Sequence, residues 1–405
     1  MKKIQSLNPI TVFLLVASMP LAAASLDMFL PALPTMMKEF GTNESTIQIS
    51  LSLNIIAGAA LGFSSGILSD QFGRRRLFIT ALFIFAGATY SCSLATNVTF
   101  FTVTRTIQGA ASGVIFVMVT AILSDVYDGV KKAQVLGIAT FLFPIALGVA
   151  PFLGEKVYRH YGWPATFVSL TILLLIAAFV LFFMLPETRQ QEATPMSLKK
   201  VLFDSKRILF TPAFMINALI PSVFMGAFMA FVAYSPFIYI NYFGLTSKAY
   251  VYYFITPLVF QFVAGILYQG VVKLLGINKT LLLGLMTTSC ALVIIVGLLI
   301  GWIPLTPVYV MSVMLFYNSS IPFILPTVMA KAFETFPTKA GTISSLASLI
   351  RNTFMSGYIY ISGVTFNATP TPVFWVLASG IILFIILTLQ SFKLSNSPTS
   401  TAQLS

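Results

Sequence analysis

Gly66-Ile67-Leu68-Ser69-Asp70-Gln71-Phe72-Gly73-Arg74-Arg75-Arg76 lies between two apolar runs, about Ile47 to Leu68 and about Leu77 to Ala95. Each run is long enough to cross a bilayer as a helix. A turn with one acid, two glycines and three arginines therefore joins two membrane helices. Gly66 and Gly73 carry no side chain, so they are expected to allow close helix approach and a sharp reversal. Asp70 is expected to cap a neighbouring helix N-terminus. The arginines are expected to pair with Asp125 or Asp128 and to mark the loop as cytoplasmic.

Working outward, the whole chain has the same character. It is 58% hydrophobic and 8% charged over 405 residues, with mean hydropathy +0.93. Soluble domains carry roughly 25% charged residues, so most of this chain belongs in lipid. Twelve apolar runs of span length fall near 10–31, 45–68, 76–95, 99–123, 133–154, 165–185, 210–234, 250–272, 279–301, 306–330, 340–363 and 371–391. The expected fold is an all-α polytopic membrane protein with twelve transmembrane helices in two six-helix halves. The halves are expected at 1–187 and 210–392, joined by a cytoplasmic linker over 188–209 with a short amphipathic helix at Met196–Phe203. A Ser/Thr/Asn-rich tail, 393–405, is expected to be disordered.

Charge fixes the orientation. With the N-terminus inside, seventeen of the 23 Lys and Arg residues fall on the inner side, four on the outer side and two within spans. This is the positive-inside bias, and it places both termini in the cytoplasm. The net charge of +12 is therefore a topology signal and implies no nucleic-acid partner. Lys2, Lys3 and the Ala22-Ala23-Ala24 run imitate a secretory signal, but the apolar character continues to Leu30, so an uncleaved first span is expected. Cys92 and Cys290 read as small buried apolar residues, and His160 as a solvated loop residue. No metal or cofactor motif is present, so neither is expected, and nothing points to an enzyme.

A repeat is visible. Gly66-Ile67-Leu68 recurs as Gly265-Ile266-Leu267, followed by Lys273, Gly276 and Lys279, about half the chain later. That offset supports duplication of a six-helix unit.

Four charges fall within spans or at their edges: Asp27, Arg105, Glu155 and Arg351. A charge at the bilayer centre costs about 2.5–3.5 kcal/mol on insertion scales, so each needs a partner or water. Asp27 is placed at the outer end of span 1. Arg105 shares a helix face on span 4 with Gln108, Gly109 and Gly113, about two turns from the outer surface and at a depth that makes pairing with Asp27 plausible. Glu155 is read as a surface charge near Lys156 and Arg159. Arg351 falls about three turns into span 11, near the midplane. Its expected neighbours are Asn352, Asn318, Asn217 and Tyr234, and its partner is either a substrate anion or Asp27.

The loop Gly66–Arg76 resembles the span 2–3 loop of major facilitator transporters. Leu26-Asp27-Met28-Phe29-Leu30-Pro31-Ala32-Leu33-Pro34 resembles the span 1 signature of bicyclomycin-resistance-type drug exporters, with Phe29 where tyrosine is usual. Arg105-Thr106-Ile107-Gln108-Gly109 resembles the family's Arg-x-x-Gln-Gly motif, and Ala340-Gly341-Thr342-Ile343-Ser344 resembles the opening of its span 11. Span 5 keeps Pro151 and Gly154 of the antiporter motif but has Ala150 and Glu155 in place of two glycines. Leu185-Pro186-Glu187-Thr188 resembles the exit of the first half.

The resemblance implies the major facilitator fold and alternating access at a cavity between the halves. It implies proton coupling at Asp27 and Arg105, a gate at Pro151 and Gly154, and a switch at Gly66, Asp70, Gly73, Arg74 and Arg75. Substrate contacts are assigned to Arg351, Asn352, Asn318, Asn217 and Tyr234. The first functional expectation is proton-coupled efflux of small hydrophobic or amphiphilic compounds from the inner membrane of the cell. The second is export or import of a small anionic metabolite such as a carboxylate siderophore or organic acid. Expected partners are a small-molecule substrate, protons and the lipid bilayer, for a monomer.

Overall fold

The computed structural model describes residues 7–127, 129–188, 205–334 and 340–395. The 196–203 segment, Asp128 and the tail beyond 395 lie outside the described residues. Within these bounds every regular element is a helix. In chain order they are α1 (Pro9–Asp27), α2 (Leu33–Glu39), α3 (Glu44–Phe72), α4 (Arg74–Ser93), α5 (Val98–Val126), α6 (Gly129–Tyr161), α7 (Pro164–Met184), α8 (Pro212–Pro236), α9 (Ser247–Leu299), α10 (Pro307–Glu334), α11 (Ala340–Thr365) and α12 (Thr371–Ser395).

Among the described residues, nine helical segments are long and apolar enough to cross a membrane. One of these, the 53-residue α9, breaks at Gly276, whose φ of 76° and ψ of 171° are non-helical. It is two spans in one continuous segment. Helix α6 has 33 residues and α11 has 26, and both exceed a bilayer's thickness at about 1.5 Å per residue. The architecture is that of twelve membrane helices.

Local chemistry sets the helix starts. Asn8, Asn43 and Asn97 each accept a backbone N–H with Oδ1, from Ile10 at 2.9 Å, Thr46 at 2.8 Å and Phe100 at 2.8 Å. These caps satisfy donors that a helix start otherwise leaves free. Span 1 runs further than expected. Pro31 and Pro34 do not end it, because each stands in the first turn of a new helical segment, where a fixed φ and a missing N–H are tolerated. Helix α1 passes through a 3-10 turn, Leu30–Ala32, into α2, so the span covers Pro9–Glu39.

The chain forms two compact units, Met1–Lys200 with Thr246–Val251, and Val201–Leu245 with Tyr252–Ser405. In the first, a core of Leu15, Phe78, Leu82, Phe85, Ile115, Ile122 and Leu174 joins α1, α4, α5 and α7. Helices α3 and α5 meet backbone to backbone. Gly58 and Gly62 on α3 face Gly109 and Gly113 on α5, two small-x-x-x-small stripes. A Cβ on Gly113 would lie 1.9 Å from the Gly58 carbonyl oxygen, and one on Gly109 would lie 2.0 Å from that of Asn54. In the second unit α8 is the core helix, and Phe224 stacks on Tyr317 at 4.3 Å. Cys92 is buried as expected, whereas Cys290 is exposed on its helix.

Candidate functional site

Arg105 is fully buried in the first unit. Its Nη1 donates to the Ser25 carbonyl at 3.1 Å and to Gln108 Oε1. Gln108 Nε2 donates to Thr89 Oγ1 at 2.8 Å. Asn54 Nδ2 donates to the Arg105 carbonyl at 2.7 Å. The guanidinium carbon stands 4.8 Å from the centroid of Phe29, within cation–π range. Arg105 Nε and Nη2 have no hydrogen-bond partner among the described residues.

Asp27 is buried at 5% exposure. The helical segment that carries it continues about 18 Å past it on the helical rise, to the end of α2. The ion pair with Arg105 that its position makes plausible is not made: no salt bridge joins them among the described residues. Arg105 is held instead by the Ser25 carbonyl and the Phe29 ring, on either side of Asp27 in the chain.

Glycine explains the seam beside Asp27. A Cβ on Gly154 of α6 would lie 1.8 Å from the Met28 carbonyl oxygen, so only glycine allows α6 this close to the end of α1. Pro151 is buried one turn earlier, in a helix that continues through it. Glu155 is not a surface charge. It is 4% exposed, and its Oε1 lies 3.6 Å from Arg159 Nε, one turn on. The same end of the unit is tied by Thr35 Oγ1 to Tyr158 OH at 2.6 Å and by Trp163 Nε1 to Glu39 Oε2 at 2.5 Å.

The loop between α3 and α4 forms a second polar cluster. Gly73 has φ of 92°, a left-handed value that suits glycine. Gly276 repeats it at 76° in the corresponding turn of the second half. Glu187, not Asp70, caps the start of α4: its carboxylate accepts from Arg74 N at 2.9 Å and Arg75 N at 3.2 Å. Asp70 instead pairs with Arg74 at 3.2 Å. Arg74 Nε also reaches Asp125 at 3.2 Å, on α5, and Arg74 Nη1 donates to Ser69 Oγ. Arg75 Nη2 donates to the Phe182 carbonyl at 2.6 Å. The loop thus ties α3, α4, α5 and the end of α7 together. Gly66 does not mediate close packing, since its missing side chain faces open space.

In the second unit the expected cluster around Arg351 is not assembled as one set. Asn217 Oδ1 accepts from Ser391 Oγ of α12 at 3.0 Å, and Tyr234 packs on Phe366 at 4.7 Å. Asn217 and Tyr234 are separated by about 25 Å along α8, too far to serve one side chain. Asn318 is 2% exposed and lines a narrow cavity with Phe228, Phe231, Tyr239 and Phe254. Arg351 and Asn352 are half-buried on α11.

Sequence reasoning missed Asn54 and Thr89, and it found Glu187 only as part of the exit of the first half, not as the cap of α4. Asn54 is signalled by its position one turn before Gly58, at the head of the glycine stripe. Thr89 carries no sequence signal of its own.

Residues 15–360 match the family model described as Major Facilitator Superfamily. The chain is 27% identical over 336 residues to a bicyclomycin resistance protein homolog of Haemophilus influenzae, covering 80% of this chain and 81% of that one. It is 23% identical over 371 residues to the multidrug resistance protein MdtL of Shewanella sp. strain ANA-3, covering 91% and 92%. A crystal structure of a D-xylose–proton symporter shares the fold with a TM-score of 0.73 at 16% identity, covering 94% of this chain and 97% of that one.

Proposed function

Because this chain belongs to the Major Facilitator Superfamily, and so is a multi-pass membrane transporter of small molecules and not an enzyme, we propose that it is a proton-coupled drug exporter. Its cargo is small hydrophobic or amphiphilic compounds, moved out of the cell by alternating access. The names of its curated relatives support efflux over transport of an anionic metabolite. The positive-inside charge pattern supports an inner-membrane location with both termini cytoplasmic. A monomer suffices for this reading.

One observation carries the proton assignment. Arg105 is fully buried with two nitrogen donors unsatisfied, in the same unit as a buried carboxylate, Asp27, that has no salt bridge among the described residues. Buried ionisable groups within spans mark functional sites, proton relays among them. In this reading Asp27 carries the proton, and the free donors of Arg105 meet the carboxylate when it is ionised, after a rotation of α1 or of either side chain. The close Gly154–Met28 contact, with Pro151 below it, is the gate beside that site. The Gly73–Arg74–Arg75 turn, with Asp70, Asp125 and Glu187, is the switch that stabilises one conformation. Gly66, in open space, is dropped from it.

The test is a strain comparison. Deleting the gene should lower the tolerated concentration of several structurally unrelated amphiphilic antibiotics, and a plasmid copy should restore it. Unchanged susceptibility to a broad panel, with the protein present in the membrane, would overturn the efflux reading.

A further inference from the structure

Over residues 343–352 helix α11, which packs against α8, presents two unlike faces. Ile343, Leu346 and Ala347 are buried on one side. Ser345, Ser348, Arg351 and Asn352 are only half-buried, and Ser344 is exposed. These polar positions recur three and four residues apart, so they form a stripe along the helix. A polar stripe at membrane depth cannot face hydrocarbon, and a charged one lines a water-filled cavity or meets a partner.

Arg351 lies at the middle of that stripe. It is the twelfth residue of α11, about 17 Å from one end and about 21 Å from the other, too deep for its head to reach either interface with ease. Its one hydrogen bond among the described residues is to Ser348 Oγ at 3.5 Å, the outer limit for such a bond. Beyond residue 204 the sequence contains a single carboxylate, Glu334. It stands at the C-terminus of α10, whereas Arg351 is midway along α11. Among the described residues of the second unit, Arg351 is therefore a cation midway along a span with no carboxylate placed to neutralise it.

We propose that Arg351 is an anion-recognition site for substrate: it binds a carboxylate or sulfonate on an aromatic amphiphile, with Ser348 and Asn352 as neutral donors beside it. The planar guanidinium donates to two acid oxygens at once, and the absence of acids around it among the described residues disfavours permanent cations. This rests on the efflux reading and narrows it, since acidic amphiphiles become preferred cargo and quaternary ammonium compounds poor cargo.

The experiment uses three probes on one scaffold: naphthalenesulfonate, naphthol and naphthyltrimethylammonium. Their binding to the purified full chain in lipid nanodiscs is measured alongside their uptake by everted membrane vesicles. The wild-type chain should bind the sulfonate most tightly and the cation least. Arg351→Gln should weaken sulfonate binding by about tenfold or more and leave naphthol within about twofold. Arg351→Lys should fall between, because a point charge loses the two-pronged contact. Equal weakening of sulfonate and naphthol, or no weakening of either, would overturn the proposal, with monodisperse elution of both variants excluding misfolding. Arg351-dependent sulfonate binding without uptake of any probe would leave the site standing and overturn the efflux reading. Naphthol uptake with charge-blind binding would do the reverse.

Discussion

Arg105 connects several elements through one side chain. It touches the α1 carbonyl of Ser25 and the ring of Phe29, and through Gln108 it reaches Thr89 on α4. Its guanidinium cannot be replaced by an ammonium without losing these directions. Arg105→Lys is therefore expected to lower transport at least tenfold and to destabilise the first unit, read as a lower melting temperature in detergent. An unshifted melting curve with full transport would show that the network is ornamental. The residues of this cluster were legible to different degrees. Arg105 and Gln108 stand out because a charge and an amide on a membrane helix need a reason. Asp27 was equally visible, but the length of the helical segment beyond it was not, since Pro31 and Pro34 look like helix ends until the folded chain shows both starting new turns. Glu155 was misplaced for a related reason: a carboxylate near Lys156 and Arg159 reads as surface, and only the fold shows its carboxylate covered.

At the scale of elements, backbone contact between helices is the dominant device. The Gly58/Gly62 and Gly109/Gly113 stripes place α3 on α5 with no room for a methyl group. Gly113→Ala is expected to destabilise the protein by about 2 kcal/mol or more, the scale of overpacking a tight core. Gly66→Ala should change little, because nothing lies within 4 Å of that position. Thermal denaturation of the pair checks this directly, and equal shifts would contradict the packing account. The turn between α3 and α4 gives a second prediction. Glu187→Ala removes the acceptor for two N–H groups at the start of α4, worth about 1 kcal/mol for a lost cap. With Asp70→Asn, it should slow turnover while leaving substrate affinity within about twofold. Vesicle kinetics that split KM from maximal rate decide it, and an affinity loss at unchanged rate would contradict the switch assignment. The turn itself could be read from Gly73 and the arginines. Its cap could not, because Glu187 arrives from more than a hundred residues away.

For the whole molecule, span count and helical character followed from hydropathy alone, because lipid leaves the backbone few alternatives. The repeat was faint in sequence, yet the left-handed glycines at 73 and 276 mark matching turns. What sequence could not supply was the assembly of side chains from distant helices, as around Arg351, where Asn217 and Tyr234 turn out to be engaged elsewhere. The two halves also differ in chemistry. The described span carboxylates belong to the first unit, and the second holds a mid-membrane arginine. Under the proposed assignments, proton handling falls to one half and substrate charge to the other.

The central claim is that Asp27 couples proton movement to export. Everted vesicles energised to an acidic interior, with a pH-sensitive dye inside, report this directly: adding a transported antibiotic should release protons and restore fluorescence. The wild-type chain is predicted to give a substrate-dependent signal, and Asp27→Asn, at matched membrane abundance, none. A full signal from Asp27→Asn would contradict the account.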